Sequence, residues 1–272
     1  MSRPAELTTP PIVMVLAGHD PTGGAGIAAD IETLTSLGCH PCTVITALTA
    51  QDSVSVKDFQ PVPATFLIEQ ARAVLEDMPV AAFKIGMTAS VEIVEAIHTL
   101  LQDYPSVPVI LDPVLAGGGG GTLARENLTD ALMDLILPLT TVITPNSVEA
   151  QQLCGDADSL DACAQQLMAQ GADYVFITGG HDATSDIVNR LWGHRQFISE
   201  YSQTRLPGEF HGTGCTLASA IAGYMAHGAP VPSAIRDAQA YTARAVANAR
   251  RLGMGQLIPN RLAWCNQDKS QH

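Results

Sequence analysis

The chain has 272 residues, 46% hydrophobic and 15% charged, and its 14 Lys and Arg against 27 Asp and Glu give a formal net charge of −13. That length and apolar content support a sizeable core and exclude a disordered chain, and the acidic balance excludes binding to nucleic acid through Lys and Arg clusters. A small phosphorylated ligand is not excluded, because it needs only one local anion site. No apolar run reaches the length of a membrane span, and the start, MSRPAELTTPP, lacks a charged segment followed by a sustained apolar one. Six cysteines in a chain of this size do not make a disulfide framework. The expected compartment is the cytoplasm, with no membrane partner.

Short apolar and β-branched runs alternate with longer helical patterns. The strands are expected at 12–17, 43–48, 82–85, 109–111, 141–143 and 174–178. Helices are expected at 27–37, 63–77, 91–103, 125–137, 148–154, 160–170, 217–227 and 231–251, with antiparallel edge strands within 192–201. This rhythm implies βαβ units, a mainly parallel sheet and helices on both faces. No internal repeat and no Pro- or Ser-rich linker divides the chain, so 1–272 reads as one domain, with 1–10 and 266–272 as tails. Five glycines at 117–121 follow a strand, and they are expected to form a flap over a ligand or, failing that, a surface turn.

In open α/β sheets ligands bind beyond the carboxyl ends of the strands, and the candidate motifs fall there. Residues 18–26, GHDPTGGAG, follow the first strand and open a helix. The spacing is that of a P-loop, but Gly24 and Ala25 stand where its Lys and Ser/Thr would be, so a substrate-binding loop is the better reading. Asp30, within the following helix, either reaches back to the site or is a solvated acid favoured by the helix dipole. Cys39 and Cys42 have the spacing of a redox or metal pair, but no second pair accompanies them. Asp112 ends a buried strand. Asn146 and Glu149 either cap the next helix as a capping box or, with Asp112, face a Mg²⁺ ion, and the two roles are compatible. In HGTGCT (211–216), closely spaced glycines run into an apolar helix. Free backbone N–H groups and the helix dipole suit an anion there, and the thiol of Cys215 is expected to have a lowered pKa.

Seven segments in this order resemble the hydroxymethylpyrimidine and phosphomethylpyrimidine kinases of thiamine biosynthesis, in the ribokinase-like superfamily: GHDPTGGAGIAAD (18–30), VITALTAQDS (44–53), KIGM (84–87), DPV (112–114), TPNSVEA (144–150), TGGH (178–181) and HGTGCT (211–216). The resemblance implies a three-layer α/β/α sandwich and ATP- and Mg²⁺-dependent phosphorylation of 4-amino-5-hydroxymethyl-2-methylpyrimidine or its monophosphate by a homodimer. By the same resemblance Gly18, Asp30, Gln51, Met87 and Val114 line the pyrimidine pocket. Asn146, Thr178, Gly180 and Gly212 meet the nucleotide, and Asp112 and Glu149 hold Mg²⁺. Gly212, Thr213, Gly214 and Cys215 form the anion hole, with Cys215 as the base. A side-chain amide at Gln51 offers both a donor and an acceptor to an aminopyrimidine edge. The chain departs from the family at Thr178, where a Lys is usual, and after Ala116, where glycines replace an Ala-Lys-Ser-Gly stretch. Charge neutralisation then falls on Mg²⁺, the helix dipole and an arginine elsewhere. Two other readings are a pyridoxal-type kinase and a non-catalytic pyrimidine- or nucleotide-binding module, the second favoured by the missing lysines.

Overall fold

The computed structural model describes residues 9–115, 127–155, 157–180 and 185–265. The chain begins with β1 (Ile12–His19), α1 (Gly26–Ser36) and β2 (His40–Gln51). β3 (Val56–Pro61) turns back antiparallel on β2. Next come α2 (Ala64–Leu75), β4 (Val80–Ile85), α3 (Val91–Gln102), β5 (Val109–Leu111) and α4 (Leu128–Ala131). They are followed by β6 (Val142–Ile143), α5 (Ser147–Cys154), α6 (Leu160–Ala169) and β7 (Tyr174–Ile177). The β8 (Asp186–Gly193) and β9 (Gln196–Thr204) hairpin leads into α7 (Thr213–Ala226) and α8 (Val231–Ala247).

The described strands form one nine-stranded sheet in the order β3-β2-β1-β4-β5-β6-β7-β8-β9. The strands from β2 to β7 run parallel, and β3, β8 and β9 are antiparallel at the edges. The three-layer architecture is the expected one. β1 shows how sequence becomes layers. Met14 and Leu16 enter one core cluster, while Val13, Val15 and Ala17 enter the other, because successive side chains of a strand point to opposite faces. β1 has β2 on one side and β4 on the other, so the strand order reverses there. Crevices open at such a switch point, and the glycine loop after β1 lies beside it.

Several boundaries differ from the sequence reading, among them the edge hairpin, which spans Asp186–Gly193 and Gln196–Thr204 rather than lying within 192–201. β3 was not expected, since its residues, half of them exposed, pair on one side only and carry no apolar alternation. The expected helix 125–137 is α-helical only over Leu128–Ala131, then becomes a π turn (Leu132–Ile136) and a 3₁₀ turn (Leu137–Leu139) containing Pro138, which cannot donate a helix hydrogen bond. α8 ends at Ala247 rather than 251, because Arg250 instead pairs with Ile258. α7 begins at Thr213, not 217, capped by Gly212 in the left-handed region at φ 81°. The early start puts Thr213, Gly214 and Cys215 in the first turn, where backbone N–H groups have no helical partner. The glycines at 117–121 lie outside the described residues. No helix among the described residues is long and apolar enough to cross a membrane.

One buried contact ties the sheet to the helical layer of α1 and α7. Lys84 on β4 meets Asp30 on α1 at 3.0 Å, with both side chains fully buried, and Ser219 on α7 donates to the same Asp30 oxygen at 2.6 Å. Removing one partner of such a pair leaves an uncompensated buried charge and typically costs about 3–5 kcal/mol. Lys84→Met is therefore expected to lower the unfolding free energy in urea by about that amount. Adding Asp30→Leu should recover most of the loss, and a double variant no more stable than the single one would contradict the pairing.

Candidate active site

A cavity of about 360 Å³ opens at the carboxyl ends of the parallel strands. Its walls come from segments far apart in the chain, which the sheet brings to one edge. Gly18 lies at the end of β1, Gln51 ends β2, Met87 follows β4, and Val114 follows β5, and all four line it. The loop after β1 can pack this tightly because Gly26 sits at φ 54°, where a Cβ would collide with the carbonyl of Gly18. The Gln51 amide donates to Thr49 Oγ1 at 2.9 Å, and the Thr49 hydroxyl donates to the His19 carbonyl at 2.8 Å, so its orientation is held. The Met87 carbonyl accepts from Thr46 Oγ1 at 2.5 Å.

Asp30 is placed differently. It is absent from the cavity lining and lies behind it, bound to Lys84 and Ser219. It neither reaches into the pocket nor faces solvent, because its partner on β4 draws it inward. Lys84 does line the cavity. Burial works against its charge, but Asp30, Cys215 and Asp112 together hold its pKa above the ordinary lysine value.

The 212–215 segment forms the opposite wall. A Cβ on Gly212 would collide with the Gly24 carbonyl, so only glycine lets the two loops touch. A Cβ on Gly214 would lie 3.7 Å from Asp112 Oδ1, which sets the Asp112 carboxylate against the first turn of α7. Cys215 is half-buried by surface yet deep in the protein, because its exposure faces the cavity. The expected lowered thiol pKa is not found. Burial pushes the Cys215 thiol up to about 12, Asp112 and Asp30 add to the rise, and Lys84 opposes it, so the resting group is the thiol.

Asp112 and Glu149 both line the cavity. Asp112 is 4% exposed, and its Oδ2 has no hydrogen-bond partner. Burial raises its pKa, Lys84 lowers it, and Asp30 raises it. Burial and the neighbouring Asp112 charge push Glu149 up to about 7. The capping box is also formed: Asn146 Oδ1 accepts from the Val148 and Glu149 amides, and Glu149 Oε2 accepts from the Asn146 amide, each at 2.9 Å. Asn146 lines the cavity too, so cap and site residue coincide. Among the described residues no group of three or more His, Cys, Asp or Glu could hold a metal ion alone.

Of the residues expected to meet a nucleotide, Thr178 and Gly212 line the cavity with Asn146, while Gly180 does not. The Gly180 carbonyl instead accepts from Arg205 Nη1 at 2.7 Å. Sequence reading missed several lining residues here. Asn189 on β8 accepts from the Gly179 amide at 3.0 Å and donates to Gln239 on α8 at 2.9 Å. Gln239 Nε2 and Thr242 Oγ1 are buried without partners and also line the cavity. Their only sequence signal is a polar residue on the buried side of a helix. The Asp20–His211 pair was missed as well. His211 Nε2 lies 2.9 Å from Asp20 Oδ2. Burial would raise the Asp20 pKa, but bonds from His211 and Thr22 hold it below the usual value, so His211 is the donor. Cys39 and Cys42 are packing residues. Both are buried, Cys39 bonds the Gly223 carbonyl, and burial raises its thiol to about 11.

The family model described as phosphomethylpyrimidine kinase matches residues 20–260. The chain is 40% identical over 247 residues to the thiamine biosynthesis bifunctional protein ThiED of Geobacter sulfurreducens, covering 89% of this chain but only 50% of that protein's length. It is 39% identical to the hydroxymethylpyrimidine/phosphomethylpyrimidine kinase of Mycobacterium bovis, covering 91% of this chain and 92% of the relative. Among solved structures, the pyridoxal kinase of Staphylococcus aureus in complex with AMP-PCP and pyridoxal is similar at a TM-score of 0.85 and 26% identity, covering 95% of this chain and 96% of that one.

The raised carboxylates give a pH dependence of known sign. Glu149 holds its proton up to about pH 7 in the fold, against an ordinary 4.5, so between these values the unfolded chain binds fewer protons and stability falls as pH rises. The melting temperature of the ligand-free protein should show this contribution as a decline between about pH 5 and 8, made shallower by Glu149→Gln. An equal slope in the variant would contradict it.

Proposed function

The chain belongs to the phosphomethylpyrimidine kinase family, and on that premise we propose that it transfers the γ-phosphoryl group of ATP to the hydroxymethyl of 4-amino-5-hydroxymethyl-2-methylpyrimidine and to its monophosphate. The observation that carries this reading is the convergence, in one cavity, of the α7 N-terminus, the Asp112 and Glu149 carboxylates and the Gln51 amide. Phosphoryl transfer is mostly positioning and charge stabilisation, and these are the groups it requires.

The ring lies against Gly18, Met87 and Val114 in this reading, with its polar edge on Gln51. The transferred group lies on the backbone N–H groups of Thr213, Gly214 and Cys215, whose positive end the helix supplies without reorganisation. Asn146, Thr178 and Gly212 face the rest of the triphosphate. Asp112 and Glu149 fit Mg²⁺, since a buried carboxylate with an unpartnered oxygen, beside a second carboxylate whose proton affinity its charge raises, suits a hard cation. When bound with the phosphate oxygens, the ion neutralises their charge. Cys215 faces the acceptor hydroxyl as its base. Asp112 and Asp30 hold the proton on sulfur and Lys84 draws it off, so neutralising Asp112 moves the thiol toward the thiolate. This reading puts the enzyme in the cytoplasm with its ATP, as a homodimer. Exposed Leu48, Val54, Leu252 and Met254, on or beside the β2–β3 hairpin, offer apolar surface for the second copy.

A pyridoxal-type acceptor is the second reading, favoured by the likeness in fold to a pyridoxal kinase. Incubation with Mg²⁺-ATP and the pyrimidine alcohol, its monophosphate or pyridoxal, followed by phosphorus NMR, separates them. Phosphorylation of the pyrimidines is expected, with Cys215→Ala lowering kcat by about 10²–10⁴ and leaving the KM for ATP nearly unchanged. Turnover of pyridoxal alone would overturn the substrate assignment, and no turnover of any acceptor would overturn the kinase reading.

A further inference from the structure

Arg261 lies beyond α8, in a segment that folds back across the ligand edge of the sheet. Leu257 pairs with Phe210, and its carbonyl accepts from the His211 amide at 2.8 Å. The Gln256 amide donates to the Ser53 carbonyl at 2.9 Å, and the Gly255 amide to Ser53 Oγ at 3.0 Å, two residues from Gln51. The segment thus touches both the β2–β3 turn and the loop before α7.

Arg261 itself is 1% exposed, unusual for a residue with no function in the core. Its guanidinium divides its donors among three elements. Nη2 bonds the Gly24 carbonyl at 2.5 Å, Nε bonds Thr216 Oγ1 at 2.9 Å, and Nη1 meets Glu32 at 3.1 Å. The Arg261 carbonyl is pinned in turn by the Tyr241 hydroxyl at 2.8 Å. Thr216 Oγ1 also donates to the Gly212 carbonyl at 2.7 Å. Gly24 belongs to the loop after β1, and Gly212 and Thr216 belong to the cap and first turns of α7 on the phosphate side. The guanidinium sits where these two loops touch, since a Cβ on Gly212 would lie 2.8 Å from Nη2. A planar fork with several donors at fixed angles sets spacing in a way that a single ammonium cannot.

We propose that Arg261 is a positioning residue for the phosphoryl transfer, holding the acceptor-side loop and the phosphate-side loop at one fixed separation. It does not line the cavity and acts only through Gly24 and Thr216. The inference rests on the kinase reading above. In-line transfer needs the hydroxyl and the γ-phosphorus at a set distance, and a displacement of about 1 Å can cost about 10²-fold in rate. Each loop keeps its own ligand contacts if the fork is lost, so binding should suffer less than turnover.

Steady-state kinetics of Arg261→Lys and Arg261→Met, measured well below each variant's melting temperature, test this. The expected result is a fall in kcat of about 10–100-fold, smaller for Lys, with the KM for ATP and for the pyrimidine alcohol each changing less than about threefold. Glu32→Gln, which removes only the leg to an exposed carboxylate, should keep kcat within about twofold. A folded Arg261 variant with near-normal kcat, or one that loses affinity while kcat holds, would overturn the proposal. So would an Arg261→Lys chain that does not fold, since that would make the residue one of stability. Inactive wild-type protein would instead overturn the kinase reading itself.

Discussion

The contact between Lys84 and Asp30 is the interaction on which the site depends. It is buried on all sides, in the layer between the sheet and helices α1 and α7. Among the described residues, Lys84 provides the only ammonium in the cavity lining, beside three carboxylates, those of Asp20, Asp112 and Glu149. Without that charge, Asp112 would be a buried carboxylate facing Cys215 with nothing opposite in sign but the dipole of α7. With it, Asp112 keeps one buried oxygen free of any hydrogen bond. The same cation is what opposes the burial of the Cys215 proton. The arrangement sets two carboxylates of raised proton affinity, Asp112 and Glu149, beside one buried cation.

Close backbone approach is the second requirement. Gly26 against Gly18, and Gly212 against Gly24, are carbonyl contacts that any side chain would break. They bring the loop after β1 onto the start of α7, where His211 and Asp20 add a charge-assisted bond and Arg261 adds its fork. The acceptor and phosphate sides are thereby parts of one packed unit, although they are far apart in the chain. The preorganised N–H groups of α7 then need no rearrangement as charge develops on the transferred group.

Much of this was legible in the sequence, and the reason differs by residue. The parallel strands announce themselves as short apolar runs; β5 falls on the expected 109–111. The capping box at Asn146 and Glu149 is a local pattern with a local cause, and both of its reciprocal bonds are present. The glycines of 211–216 predicted a helix start beside a ligand edge. What stayed hidden depends on partners distant in sequence. No spacing rule distinguishes a solvated acid near the start of α1 from Asp30, which lies buried because Lys84 reaches it from β4. The helix start suggested an acidic thiol at Cys215, but depth in the protein outweighs the dipole. Arg261, Asn189 and Gln239 give no motif at all; their importance comes from what the fold sets against them. The antiparallel β3 lacks the alternation that would mark it, since it lies at the sheet edge, partly exposed and paired along one side.

The account is tested most directly by a crystal structure with Mg²⁺, a non-hydrolysable ATP analogue and the pyrimidine alcohol bound together. It predicts γ-phosphate oxygens within hydrogen-bond distance of the Gly214 and Cys215 amides, the metal on Asp112 or Glu149, and the hydroxymethyl oxygen between Cys215 Sγ and the γ-phosphorus with the ring on Gln51. A γ-phosphate seated away from the first turn of α7, or a hydroxymethyl group directed away from Cys215, would contradict it.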